Sequence, residues 1–200
     1  MACTLSWRRI APGAVAVVLL ATLNSSAFAH VGDHGGGFAA GLAHPFSGLD
    51  HVLAMVAVGL WASQLGRPAA WLLPLTFPAV MALGAVIGAG GLALPAIETA
   101  LAGTVLVLGL VIALALRPSV VVSATVIALF AMVHGYSHGA ELPPTSGALA
   151  YGAGFIVATC VLHAIGLTLG ALPRGSLARL APRAIGAVIA GVGVVLLVTA

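Results

Sequence analysis

His44-Pro45-Phe46-Ser47-Gly48-Leu49-Asp50-His51 stands inside a run, Phe38 to Ser63, that is apolar enough to cross a bilayer. Imidazoles and carboxylates are expensive in hydrocarbon, so ionisable groups within such a run point to function before packing. An Asp at the centre of a membrane helix costs about 2.5–3.5 kcal/mol on the insertion scale. Along an ideal helix His44 and His51 would be nearly aligned but about 10 Å apart, two stations on a path. Pro45 denies its predecessor regular helical geometry and removes a backbone donor, and Gly48 loosens the chain further. A helix interrupted there would let His44, Asp50 and His51 turn toward a common centre. Broken helices beside ion sites recur in transporters.

The surroundings agree with a membrane setting. Hydrophobic residues make up 62% of the 200-residue chain and charged ones 6%, with a mean hydropathy of +1.21. A soluble domain carries about a quarter charged residues, and no polar stretch here is long enough to form one. Continuous apolar runs without alternation predict helices, not a barrel. The net charge of +3 comes from arginine alone, with no basic cluster interleaved with aromatics, so nucleic acid is not an expected partner. The fold class expected is all-α: a polytopic membrane bundle of six transmembrane helices after a cleavable signal peptide.

Residues 1–29 read as that signal. Arg8 and Arg9 supply the positive start, Ile10 to Leu23 the apolar stretch, and Ala27-Phe28-Ala29 the small-x-small cleavage site. Residues 30–200 would be the permease domain. Cleavage would leave His30 at the new terminus with Asp33 and His34 close behind, a weaker set of metal donors. Six apolar segments follow, near Phe38–Ser63, Trp71–Gly91, Ile97–Leu116, Ser119–His138, Gly147–Leu172 and Pro182–Thr199, each close to the about 20 residues a span needs. With the mature N-terminus outside, Arg67, Arg117, Arg174, Arg179 and Arg183 all fall on the cytoplasmic side, as the positive-inside rule asks. Both mature termini are then expected in the periplasm of a bacterial inner membrane, with Glu98 and Glu141 toward the outer side.

Several features read as packing. Gly84/Gly88, Gly135/Gly139 and Gly166/Gly170 have the small-xxx-small spacing that brings helices close. Met55 and Met132 read as core filler, Trp61 and Trp71 as interfacial rings, and Cys160 as a buried, inert thiol.

A second polar cluster, His134-Gly135-Tyr136-Ser137-His138-Gly139-Ala140-Glu141, closes the fourth segment. His134, His138 and Glu141 stand at i, i+4 and i+7, one stripe of a helix. Two histidines at i, i+4 chelate one ion from one face, and a carboxylate adds a ligand or orients a ring. A zinc protease would have Glu directly after the first histidine. Gly135 stands there, and no catalytic residue or resident cofactor is predicted. The first segment runs inward and the fourth outward, so an early motif in one and a late motif in the other share a depth. His44, Asp50, His51, His134, His138 and Glu141 are therefore the predicted metal ligands, with His163 a weaker candidate from a third helix. Imidazole with carboxylate suits nickel, cobalt or zinc.

His44-Pro45-x-x-Gly48-x-Asp50-His51 and His134-Gly135-x-x-His138-Gly139-x-Glu141 resemble the paired signatures of the HupE/UreJ family, and the resemblance extends to signal and six-helix topology across the chain. Val133 departs from the phenylalanine of that pattern, a matter of packing more than ligation. The resemblance implies a nickel or cobalt permease supplying hydrogenase or urease maturation, with those six residues carrying the metal. The expectation is transport of a divalent metal, nickel first and cobalt next, with the bilayer as the other partner and homo-oligomers left open. The alternatives are a haem-binding membrane cytochrome, which a Soret band would reveal, and an accessory membrane protein that binds metal without moving it.

Overall fold

Apolar runs in lipid satisfy their backbone only within themselves, and the chain does so as helices. The computed structural model describes residues 37–91, 93–142, 147–171 and 176–200. The signal segment and His30, Asp33 and His34 lie outside the described residues. Among those described, the elements are α1 (Phe38–Ala43), a 3-10 turn (His44–Phe46), α2 (Leu49–Leu65), α3 (Ala69–Ala89), α4 (Ile97–Ala113), α5 (Val120–Ala140), α6 (Ala148–Gly170) and α7 (Ser176–Thr199). Helices α3, α5, α6 and the Leu180–Thr199 part of α7 are long and apolar enough to cross a membrane, and the α1–α2 pair adds a fifth if it counts as one broken span. Helix α4 is shorter, at 17 residues.

The first apolar segment is broken, but at Gly48 and not ahead of Pro45. His44 keeps right-handed helical geometry, Pro45 is carried within the 3-10 turn, and the chain leaves the helix only at Gly48. The two parts of the segment meet at 86°. Ser47 pins the turn, its backbone N–H and its hydroxyl both donating to the His44 carbonyl at 2.9 and 2.7 Å. Gly48 is extended, and α2 begins after it. Glycine is needed there for space: a Cβ would sit 2.5 Å from His51 Nδ1 and 2.6 Å from Asp50 Oδ1.

Small residues set the helix pairing. Gly84 and Gly88 of α3 meet the backbone of α5 around Gly135 and Gly139, in the same order, so these helices run in one direction. Gly59 of α2 and Gly166 of α6 make a second parallel crossing, and Gly109, Gly186 and Gly193 an antiparallel one between α4 and α7. Gly41 of α1 abuts Tyr151, which seats the His44 turn against α6. The end of α4 is capped from two elements, α2 and α7. Gln64 donates to the Ile112 carbonyl at 3.2 Å, Arg183 to Ala113 at 2.8 Å, and Trp61 to Leu116 at 3.1 Å.

Two packing expectations need correcting. Trp61 is a core residue, 1% exposed, because its indole N–H reaches a free carbonyl and the ring can then be buried without loss. Trp71 is exposed as expected. Cys160 lies on the exposed face of α6, since the inward face of that helix is given to Thr159, Leu162 and His163. The last helix also begins before Pro182 and carries it inside.

Candidate metal centre

Two elements deliver the histidines. The 86° break turns His44 and the first turn of α2 toward the last two turns of α5, and the two sequence motifs come together. His51, His134 and His138, all buried, each present a ligand nitrogen, and these atoms lie within 4.8 Å of one another. His44, His138 and Glu141 form a second group on the same criterion. His138 belongs to both.

Hydrogen bonds decide which nitrogens are free. Asp50 lies outside both groups and acts on His51, whose Nδ1 stands 2.9 Å from the Asp50 carboxylate. A carboxylate only accepts, so Nδ1 carries the proton and Nε2 the lone pair. Thr104 does the same for His134. Its single hydroxyl proton goes to the Leu101 carbonyl at 2.7 Å, so it accepts from His134 Nε2–H at 2.8 Å. That leaves Nδ1 of His134 as the lone-pair nitrogen. His51 Nε2, His134 Nδ1 and His138 Nε2 are buried with no hydrogen-bond partner. Three orphaned nitrogens at one place are costly unless something fills them, and the lone pairs set on His51 and His134 are donors that a cation can take up.

The second group is wetter. His44 Nε2 stands 3.2 Å from His138 Nδ1 and 3.5 Å from Glu141 Oε2. Ser137 donates to the other Glu141 oxygen at 3.2 Å. Contact with the His44 ring holds the Glu141 carboxyl below its ordinary range, against partial burial that works the other way. It therefore stays charged at neutral pH. His138 and Glu141 also sit at the C-terminal end of α5, where the helix dipole favours a cation.

A neutral imidazole has one lone pair, so His138 serves one group at a time. Its Nδ1 faces His44 and Glu141, and its Nε2 is left for His51 and His134. Exchange between the groups requires the proton to change nitrogen. The two groups thus share one ring.

Several participants gave weak sequence signals. Tyr151 and Phe155 of α6 wall the rings, Phe155 lying 4.3 Å from His138 and 5.8 Å from His44 between centroids. Thr104 was legible only as a hydroxyl in an apolar run. Glu98 shares a cavity of about 290 Å³ with Asp50, bounded by the end of α7. Its place beside Asp50 could not be read from its position in the first turn of α4. His163 is buried in α6 and joins neither donor group.

A family model described as HupE / UreJ protein matches residues 17–196. Protein HupE of Rhizobium leguminosarum bv. viciae is similar, with 50% identity over 176 residues, which is 88% of this chain and 92% of the relative. No solved structure matches the chain.

Proposed function

The chain belongs to the HupE/UreJ family, and from that premise we propose that it is a permease for a divalent transition metal, nickel first and cobalt next. The observation that carries this reading is the trio of buried, unpartnered nitrogens on His51, His134 and His138. The groups that accept their ring protons, Asp50 for His51 and Thr104 for His134, preset two of the three rings for ligation. The cation arrives with its water shell partly replaced by His44, Glu141 and the outward nitrogen of His138. It passes to the inward nitrogen of the same ring, with His51 and His134 completing the coordination. Sharing His138 keeps each position incomplete while the other is filled, which lets the ion leave, as any conducting site requires.

The same reading takes residues 1–29 as an export signal and the remainder as six spans, with α1–α2 counted as one and α4 as a short one. It puts the arginine end of the bundle in the cytoplasm of a bacterium and both mature termini outside the inner membrane, with the metal destined for hydrogenase or urease maturation.

Radioactive nickel uptake into cells tests the proposal. His138→Ala removes the residue common to both groups and should lower uptake to the level of cells lacking the protein. Uptake equal to wild type would remove the site assignment. Purified protein that binds nickel but moves none across vesicles would favour the accessory reading.

A further inference from the structure

Helices α3 and α6 touch in one half of the bundle and part in the other. They meet where the Phe77 and His163 rings pack edge to face, 5.4 Å between centroids. Toward Ala89 on α3 and Ala148 on α6 a cleft of about 480 Å³ opens between them, backed by the end of α5 at His138 and Gly139. Small residues leave that room: Ala82, Ala85 and Ala89 on one wall, Ala148, Gly152 and Ala153 on the other. Around Gly152 there is open space where a Cβ would stand.

The cleft faces sideways. Val86 and Leu149 beside it are 74% and 93% exposed, and both helices are long and apolar enough to cross a membrane. In a bilayer its mouth opens into hydrocarbon. A water molecule held there would need about two to four polar partners. The walls offer methyl groups, aliphatic chains and ring edges, with the backbone spent within the helices. Hydrocarbon is what such walls take up.

Length narrows the occupant further. The cleft follows α3 from Met81 to Ala89, about 12 Å along the helix, and ends on the Glu141 side of the bundle. One leaflet supplies about 15 Å of hydrocarbon, half of a core about 30 Å thick. A fatty acyl chain lying along the helices therefore reaches from headgroup level to the floor at Met81. The back wall holds His138, whose ring belongs to both donor groups. A chain in the cleft keeps water from that ring on the side where the protein leaves it uncovered.

We propose that the cleft between α3 and α6 seats one acyl chain of a phospholipid from the leaflet on the Glu141 side, and that this chain completes the wall of the histidine cluster. The inference needs the bundle to lie in a bilayer. It takes nothing from the identity of the metal or its direction of travel.

The test reconstitutes the full chain in phosphatidylcholine vesicles whose lipid carries a diazirine midway along one acyl chain. The protein is then returned to detergent and washed free of loosely held lipid. Phosphorus analysis should find one phospholipid retained per wild-type chain, and illumination should attach it to peptides covering residues 81–89 and 148–156. Gly152→Leu and Ala82→Leu fill the cleft from opposite walls and should each lose the lipid and the adducts. Gly191→Leu, at a glycine of α7 with equally open space, should keep both, and a cooperative thermal transition in each variant reports an intact bundle. No lipid on wild type, adducts elsewhere, full retention in the two cleft variants, or equal loss from Gly191→Leu overturns the proposal. Failure of nickel uptake would leave the lipid seat standing.

Discussion

At the scale of single residues the site is governed by which nitrogen of each ring bears a proton. Asp50 illustrates the distinction. Its cost in an apolar run marked it as a ligand, yet its oxygen is spent on His51 Nδ1, so under the proposed function it acts on the metal through that ring. Asp50→Asn keeps the shape but offers either an oxygen or an NH2 group to Nδ1, so the tautomer is no longer enforced. Nickel affinity of the purified protein should fall roughly 10- to 100-fold, the range for loss of an outer-shell partner, with the number of tight ions unchanged. Dialysis reads both quantities, and an unaltered affinity would show that Asp50 does not orient His51.

At the scale of elements, the decisive facts are a break and a set of close crossings. Gly135 of α5 lies against the backbone of α3, where an added Cβ would strike the Met81 carbonyl. Gly103 of α4 has open space at the same position. Alanine favours a helix over glycine by roughly 0.8–1 kcal/mol, so propensity alone predicts that both substitutions stabilise. Gly103→Ala should do so, raising the thermal midpoint in detergent slightly. Gly135→Ala must push α5 from α3 and should lower the midpoint, reducing nickel binding as His134 and His138 move. Equal effects at the two positions would mean that the α3–α5 crossing does not set the site.

For the whole molecule, the polar caps on α4 place Arg67, Arg117 and Arg183 together. Trp61 and Gln64, near the end of α2, reach Leu116 and Ile112, and Arg183 reaches Ala113. The Glu141 cluster occupies the other end. In a Cys160→Ser background, Arg67→Cys and Arg117→Cys should react with an impermeant thiol reagent from the cytoplasmic face of vesicles. Leu94→Cys and Gly147→Cys should react from the opposite face. Labelling of Arg67→Cys and Arg117→Cys from different faces would break the span count.

Hydropathy, arginine placement and the two polar motifs decided the class of the molecule from sequence alone, because a charge in hydrocarbon and a proline in a helix carry penalties that need no neighbour to be felt. Shared depth of the motifs followed from helix direction, and the break from Gly48, whereas His44 stays helical ahead of Pro45. Tertiary structure decided what no local pattern encodes. It gathered five of the six candidate ligands into two groups around His138, set Asp50 against the His51 ring, and brought Thr104 and Glu98 in from α4. It also buried Trp61 and exposed Cys160. A hydrogen bond between helices depends on which faces meet, and those faces were chosen by glycines elsewhere in the chain.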